Sequence, residues 1–199
     1  MRDTDKKIAL LIIDCQKGID ESEYWGGNRN NPEAEKNIEI LLQHWRKWQL
    51  PLFHIQHLSV NHTSPLLPGQ PGNEIKEFAR PLPGEIIIQK TGVTSAFVHT
   101  PLQSILAEQG IQTLVIAGFV TNNSVEATAR MAGNLGFHTF VISDACAAFN
   151  LRGLNGEIFD SQLVHNISLA NLQGEYATVV TTQEIVKQIQ ELYEHTSLV

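Results

Sequence analysis

The chain has 199 residues, of which 42% are hydrophobic and 18% are charged, and its formal net charge is −7. This length supports one sizeable hydrophobic core and is too short for two ordinary domains, so we expect a single domain over residues 1–199. The acidic balance, without a basic stretch that could follow a phosphate backbone, argues against nucleic acid as a partner.

The N-terminal segment and the cysteines indicate a cellular compartment. The first apolar run ends at Asp14 without a small-residue cleavage site, and it is too short to cross a bilayer. Two cysteines, Cys15 and Cys146, with no other sign of secretion, fit reduced thiols better than a disulfide. We therefore expect a cytoplasmic protein with no membrane segment.

Short β-type runs alternate with helix-like stretches along the chain. The runs rich in β-branched and aliphatic residues are Ile8 to Ile13, Leu52 to Gln56, Glu85 to Gln89, Thr113 to Ala117, Thr139 to Ile142 and Ala177 to Thr181. Apolar residues at helical spacing predict helices over Pro32 to Trp48, Pro101 to Glu108, Val125 to Leu135, Ser161 to Leu172 and Gln183 to Leu192. For the first of these, Asn31 is the expected N-cap and Pro32 the first helical residue.

This alternation predicts an α/β fold, because a parallel sheet needs crossover connections that are usually helices. We expect a doubly wound, mainly parallel sheet of six strands with helices on both faces, whose central strands are buried on both sides. The segment from Leu58 to Pro83 interrupts the pattern, being rich in Pro, Gly, Asn and His without clear periodicity. A loop of that length inside a compact domain is usually functional.

The residues just after the apolar runs are the site candidates, because ligands of open α/β sheets bind beyond the carboxyl ends of the strands. Asp14 follows the first run, Lys90 the third, and the segment from Gly118 to Ser124 leads from the fourth directly into a helix. Unpaired N–H groups at such a helix start can bind an oxyanion. Taken singly, Asp14 is typical of a turn, Lys90 of a solvated lysine and Ser124 of a helix cap. Their joint position at the ends of three strands favours a functional site.

Several runs of this sequence resemble the isochorismatase-like cysteine hydrolases. They are ALLIIDCQKGI at the first strand, SPLLPGQPGNEI and IIIQKTGVTSAF in the middle of the chain, IAGFVTNNSVEATARMAGNLGFHTFVISDACAAF, and VHNISLANLQGEYATVVTT. Together they cover nearly the whole chain, in the family's order. The resemblance implies a Rossmann-like fold and an Asp, Lys and Cys triad that hydrolyses C–N bonds, commonly in small amides, through a covalent thioester.

Carried over by position, the resemblance makes Asp14 the general base and Lys90 the group that stabilises charge, with Ser124 in place of the nucleophilic cysteine. It also implies a cis peptide between Val120 and Thr121. That bond would aim the N–H groups of Asn123 and Ser124 at an oxyanion.

The serine is the important departure from the family pattern. A thiol is readily converted to thiolate near a lysine and a helix N-terminus, whereas a serine hydroxyl normally needs an imidazole base. Three explanations stay open: a cysteine-to-serine replacement that traps substrate, a nucleophile-free reaction such as vinyl ether hydrolysis with Asp14 as proton donor, or a catalytically silent binding protein. A small polar amide or a related carboxylate-bearing molecule is the leading substrate class.

Other residues have a functional and a structural interpretation. Gln16, Trp25, His57 and Phe119 are candidate substrate contacts, although Phe119, like Phe97, is also typical of a core. Arg29 is either an anion contact or part of a subunit interface. Of the histidines that could assist Ser124, namely His54, His57 and His62, His57 lies nearest to a strand end. Cys15 should point to the opposite face of its strand, and Cys146 is expected to be structural.

We expect no cofactor and no metal. Nicotinamidases of the superfamily bind a metal through an Asp-x-His pair and a further histidine. The corresponding stretch here, HIQHLSVNHTSP, has histidines but no Asp-x-His pair. The expected partners are a small-molecule substrate and, by resemblance alone, further copies of the chain in a homodimer or homotetramer.

Overall fold

A computed structural model describes residues 7–194 of the chain. Its eight strands, in chain order, are β1 (Lys7–Ile13), β2 (Leu52–Leu58), β3 (Ile86–Thr91), β4 (Ile111–Phe119), β5 (His138–Ala147), β6 (Leu151–Arg152), β7 (Ile158–Phe159) and β8 (Thr178–Val180). The α-helices are α1 (Ser22–Trp25), α2 (Ala34–Lys47), α3 (Leu102–Glu108), α4 (Glu126–Asn134), α5 (Ser161–Leu172) and α6 (Thr182–Glu194). All six predicted strands and all five predicted helices are present, with bounds that differ by a few residues.

The main sheet has six strands in the order β3-β2-β1-β4-β5-β8, and every pair in it is parallel. The predicted α/β fold is therefore confirmed. The chain moves outward from β1 to β3 and then returns to pair β4 with the other edge of β1. The carboxyl ends of β1 and β4 thus border the point where strand order reverses, which is where ligands bind in such sheets.

The sheet buries both of its faces, as β1 shows. Leu10 and Ile12 belong to a core cluster that includes α2 residues, while Leu11 and Ile13 belong to a second cluster that includes residues of α3 and α4. Alternate side chains of a strand point to opposite faces, so a run buried on both sides has to be apolar throughout. This is why the sequence ALLII predicts an inner strand.

The start of α2 differs from the prediction. The helix begins at Ala34, two residues after Pro32, and its N-cap position is Glu33. The side chain of Asn31 does not cap the helix, because its Nδ2 donates to the carbonyl oxygens of Ser143 (2.9 Å) and Cys146 (2.8 Å) on β5. Tertiary hydrogen bonds to the neighbouring strand thus replace the local bond that the sequence suggests.

The connection between β2 and β3 has several buried residues, among them Leu66 and Ala79, and contains two short 3-10 turns, Pro71–Asn73 and Glu77–Ala79. A second irregular feature is an antiparallel hairpin of β6 and β7, outside the main sheet. Within residues 7–194, no helix is long and apolar enough to cross a membrane.

Candidate active site

The structure brings Asp14, Lys90 and Ser124 together. Lys90 Nζ lies 2.8 Å from Asp14 Oδ2 and 3.2 Å from Ser124 Oγ. All three side chains are buried, and Lys90 has no exposed surface. The convergence that the sequence predicts at the carboxyl ends of three strands is therefore present in the fold.

The sheet places each of these groups. Asp14 directly follows β1, with φ at 49°, a left-handed conformation that Asp adopts more readily than most residues. Lys90 is the penultimate residue of β3, so the strand continues past the predicted end at Gln89. Ser124 lies in a π-helical turn, Thr121–Val125, that joins β4 to α4. Single π-helical turns inside helices are frequent at functional sites.

His57 is the fourth member of this cluster. It is the register partner of Lys90 on the neighbouring strand β2, and its Nδ1 lies 3.0 Å from Lys90 Nζ. An ammonium has three N–H donors and no acceptor, so Lys90 can satisfy Asp14, His57 and Ser124 at once. The carbonyl oxygen of Val93, at 3.4 Å, is a longer fourth contact.

Burial and the adjacent Lys90 charge lower the pKa of His57 below its usual value of 6.5, and Asp14 opposes this effect in part. The neutral imidazole also fits the geometry, because a nitrogen that faces an ammonium must accept its hydrogen bond. Asp14 Oδ1 is buried and has no hydrogen-bond partner among residues 7–194. The cluster therefore contains a free carboxylate oxygen and an uncharged imidazole.

These groups border a cavity of ≈ 150 Å³. Its wall combines polar and apolar side chains, and Lys90 lies beneath it, in contact with three residues of the wall. The lining residues are Asp14, Ile19, Tyr24, Trp25, His57, Ser59, Ser64, Leu66, Thr94, Phe119, Val120, Asn123 and Ser124. Ser59, Ser64 and Leu66 come from the long connection after β2, which agrees with a functional interpretation of that loop.

The predicted substrate contacts divide into two groups. Trp25, His57 and Phe119 line the cavity. Gln16 does not: its Nε2 donates to the carbonyl oxygens of His57 (3.0 Å) and Asn73 (2.9 Å), and its Oε1 accepts the N–H of His57 at 2.8 Å. Because its amide is fully used inside the protein, Gln16 is a positioning residue and its prediction as a substrate contact is wrong.

The predicted cis peptide is one residue out of place, because the cis bond joins Phe119 to Val120. The Val120 carbonyl belongs to the start of the helical turn, where it accepts the N–H groups of Asn123 (3.0 Å) and Val125 (3.3 Å). The Val120–Thr121 bond is therefore already part of the helix entrance. The same contact occupies the N–H of Asn123, which the resemblance assigned to an oxyanion.

The turn that carries Ser124 is attached to α5. Thr121 is fully buried, and its Oγ1 lies 2.8 Å from Nδ1 of His165. Ser168 Oγ donates to the Thr121 carbonyl oxygen at 3.2 Å. Sequence reasoning missed His165 and Ser168, because nothing local in the α5 sequence indicates which strand-helix junction its polar residues face.

The remaining candidates lie outside the cavity. Cys15 and Cys146 are buried in separate core clusters, and burial raises the pKa of both thiols, that of Cys146 to about 12. Arg29 pairs with Glu35 at 3.0 Å and lies over the ring of Phe119. Two further predictions concern histidines: His54 contacts Glu85, and His62 is exposed. Phe97 is a core residue, as one interpretation of the sequence holds.

Comparison with known proteins identifies the family. A model of the isochorismatase domain matches residues 8–184. The isochorismatase family protein YrdC of Bacillus subtilis is 43% identical over 92% of this chain and 96% of its own length. A crystal structure from the same family, from Chromobacterium violaceum, superposes with a TM-score of 0.88 at 44% identity, covering 95% of this chain and 96% of the other.

Two more distant relatives have names that state an activity. Nicotinamidase 3 of Arabidopsis thaliana is 28% identical over 94% of this chain and 92% of its own length. Maleamate amidohydrolase of Pseudomonas putida is 29% identical over 64% of this chain and 54% of its own length. The matched domain and the shared fold lead to one conclusion: this chain belongs to the isochorismatase family of hydrolases.

Proposed function

We propose that this isochorismatase-family hydrolase cleaves the C–N bond of a small polar amide, with Ser124 at the position of the nucleophile. The observation that carries the proposal is the contact of one buried ammonium, Lys90, with both Asp14 and Ser124 at the edge of the cavity. The relatives named nicotinamidase and maleamate amidohydrolase support amides as the substrate class.

The arrangement supports acyl transfer to the serine. Ser124 Oγ attacks the amide carbonyl carbon and forms a C–O bond, and its proton leaves for a base while the C–N bond breaks. The released nitrogen takes up a proton and departs as ammonia or an amine. Water then hydrolyses the ester at Ser124, which returns the hydroxyl and yields the carboxylic acid. Lys90 stabilises the negative charge that develops near Ser124 Oγ.

Asp14 is suited to contact the substrate or to act as a base. Its Oδ2 is held by Lys90, whereas Oδ1 is buried without a partner among the described residues, and Asp14 lines the cavity. The alternative, vinyl ether hydrolysis, would instead need Asp14 as the proton donor.

The cavity limits the substrate. Its ≈ 150 Å³, between the ring of Trp25 and polar groups such as Asn123, is room for a group about the size of a benzene ring. The charged group in its wall is the carboxylate of Asp14, so a neutral amide matches the wall better than an amide that also carries a carboxylate. We therefore propose a neutral amide of a few carbon atoms as the substrate class.

The test compares the protein as it stands with its Ser124→Cys variant on a panel of small neutral amides, with ammonia release as the readout. We expect the cysteine form to be faster by at least about tenfold, because a thiol near a lysine is readily ionised at neutral pH. Asp14→Asn should abolish release in both forms. Ser59→Cys is the matched control, since it places a thiol in the same cavity wall without contact to Lys90.

Three results would contradict the proposal. If neither form releases ammonia but ligands raise the melting temperature, the chain is a binding protein. Cleavage of isochorismate by the serine form, lost in Asp14→Asn, would instead support proton donation to a vinyl ether. Equal activity of Ser124→Cys and Ser59→Cys would show that contact with Lys90 is irrelevant.

A further inference from the structure

Ser124 needs a base that removes the proton of its hydroxyl, and none is in direct contact with it among the groups described above. Alcohols are much weaker acids than thiols, and serine nucleophiles normally rely on an imidazole within hydrogen-bond reach. Carboxylates are weak bases for this step, because efficient proton transfer needs a base whose pKa is near the working pH. Asp14 alone therefore fits a thiol better than it fits Ser124.

The ammonium of Lys90 contacts both Ser124 and the imidazole of His57. Lys90 Nζ is 3.2 Å from Ser124 Oγ and 3.0 Å from His57 Nδ1, so a single nitrogen connects the hydroxyl to the ring. His57 and Lys90 are register partners on adjacent parallel strands, and Gln16 holds the backbone of His57 through both its N–H and its carbonyl oxygen. The contact is thus fixed by the sheet and by a buried amide.

The ring of His57 is uncharged at neutral pH and therefore has a nitrogen that can accept a proton. The groups whose charge acts on its ring are Lys90 on β3 and Asp14 beyond β1, while Tyr24 also lines the cavity. Burial and Lys90 lower the pKa of His57 below its usual 6.5, which keeps the ring neutral at neutral pH. Asp14 acts in the other direction and stabilises the ring once it is protonated.

We infer that His57 takes up the proton of Ser124 through Lys90, so that the serine has an imidazole base that it does not touch. This inference rests on the proposed amide hydrolysis. In the first step Lys90 passes a proton from Nζ to His57 Nδ1, and after rotation about its Cε–Nζ bond the amine accepts the proton of Ser124 Oγ. The C–O bond to the substrate forms, and Lys90 ends as an ammonium beside a protonated His57.

The same path in reverse completes the turnover. His57 returns its proton through Lys90 to the nitrogen of the leaving group as the C–N bond breaks. In the second half, the attacking water loses a proton to this path, and the proton is then delivered to Ser124 Oγ as the ester breaks. No proton or electron is left over, and no other reactant is required.

The experiment is a double-mutant comparison of His57→Gln in two backgrounds, the serine protein and the Ser124→Cys variant, on an amide that both hydrolyse. Glutamine keeps a polar side chain but cannot take up a proton. We expect kcat/KM to fall by about 10²-fold or more in the serine protein, the usual contribution of a general base, and by less than about tenfold in the cysteine form. The matched control is His62→Gln, at an exposed histidine of the following loop.

The pH profile separates proton uptake from a purely structural role. His57 must be neutral to act, so kcat/KM of the serine protein should decline as the pH falls through a value below 6.5, and this limb should vanish in His57→Gln. Added imidazole should partly restore the kcat/KM that His57→Ala removes from the serine protein.

Equal losses in both backgrounds, or an unchanged pH limb, would overturn the inference and leave the proposed hydrolysis intact. If neither background hydrolyses any amide, the proposed function itself fails. A variant that does not fold is recognised by its circular dichroism, and His57→Asn then replaces His57→Gln in the same comparison.

Discussion

Gln16 holds His57 at both ends of one residue: its side-chain oxygen accepts the His57 N–H at 2.8 Å, and its side-chain nitrogen donates to the His57 carbonyl oxygen at 3.0 Å. Gln16 lies just beyond the end of β1, and His57 lies near the end of the neighbouring strand β2, 41 positions later in the sequence. Gln16 Nε2 also donates to the carbonyl oxygen of Asn73, which connects the long loop to the same point. The end of β1 thereby sets the position of an imidazole on β2.

We predict that Gln16→Ala destabilises the protein by about 1–3 kcal/mol, because it leaves the N–H of His57 without a partner. The carbonyl oxygen of His57 keeps the hydrogen bond that Asn73 Nδ2 donates at 2.8 Å. Chemical denaturation of the two proteins would measure the difference. Gln70→Ala, at an exposed glutamine of the same loop, is the control. A loss no larger than that of the control would show that the two backbone bonds contribute little.

We predict strong coupling between Asp14 and Lys90. Lys90→Met removes the only cation that contacts the buried Asp14 carboxylate in residues 7–194, at an expected cost of about 3–5 kcal/mol. Adding Asp14→Asn removes the stranded charge, so the double variant should be more stable than Lys90→Met alone. A double-mutant cycle of unfolding free energies measures this, and additive effects would contradict the ion pair.

We predict that Glu85 stabilises the fold in a pH-dependent way. Burial raises the pKa of this carboxyl, but hydrogen bonds from Arg46, the Leu82 N–H and His54 outweigh that effect and lower it to about 2 from its usual 4.5. A lowered native pKa means that the stabilisation is fully present above pH 4.5 and is lost as the pH falls towards about 2.

Unfolding free energies of the protein and of Glu85→Gln should therefore differ at pH 6 by roughly 1–3 kcal/mol and converge at the acidic end. Glu77→Gln provides the control, since Glu77 is an exposed partner of Arg80 in the same part of the chain. A difference that stays constant with pH would contradict the assignment.

We predict that Gly118→Ala prevents stable folding. Gly118 has a φ of 129°, and a Cβ atom there would lie 2.1 Å from the carbonyl oxygen of Ile13 on the adjacent strand β1. Both the backbone conformation and the space exclude a side chain at this point. Soluble yield and thermal unfolding would test this. Gly84→Ala is the control for the lack of space, because Gly84 also has a positive φ, of 94°, but no atom lies within 4 Å of the added carbon.

We predict self-association through an apolar face made of the β6–β7 hairpin and α5. Six large apolar side chains are exposed there: Leu151, Leu154, Ile158, Phe159, Leu163 and Ile167. A two-stranded hairpin with so little of its own core is stabilised when another surface covers it. The family resemblance implies a homodimer or homotetramer, and a second copy of this chain is the occupant we expect.

Light scattering after gel filtration should therefore give a multiple of the monomer mass, and Ile158→Asp should reduce it. The control is Val60→Asp, which puts the same charge at an exposed valine of another loop. A monomer, or an unchanged mass for Ile158→Asp, would contradict the prediction.

The fold and part of the site are predictable from the sequence for a physical reason. Buried parallel strands need uninterrupted apolar runs, so ALLII marks β1, and the residue after such a run, Asp14, has to lie at the ligand-binding edge. The functions of Gln16 and Asn31 could not be predicted in this way. Both side chains bond to backbone atoms far away in the sequence, and which carbonyl an amide meets is decided by register and packing.

A molecule bound in the cavity would change the environment of the indole of Trp25. It lines the cavity, donates from Nε1 to the Gly18 carbonyl oxygen at 2.8 Å and stacks on Phe149, while Trp45 is fully buried in the core and Trp48 packs against Tyr193. Filling the cavity therefore alters the emission of one tryptophan out of three. The protein thus carries its own fluorescent probe, and ligands can be titrated by their optical signal before any turnover has been seen.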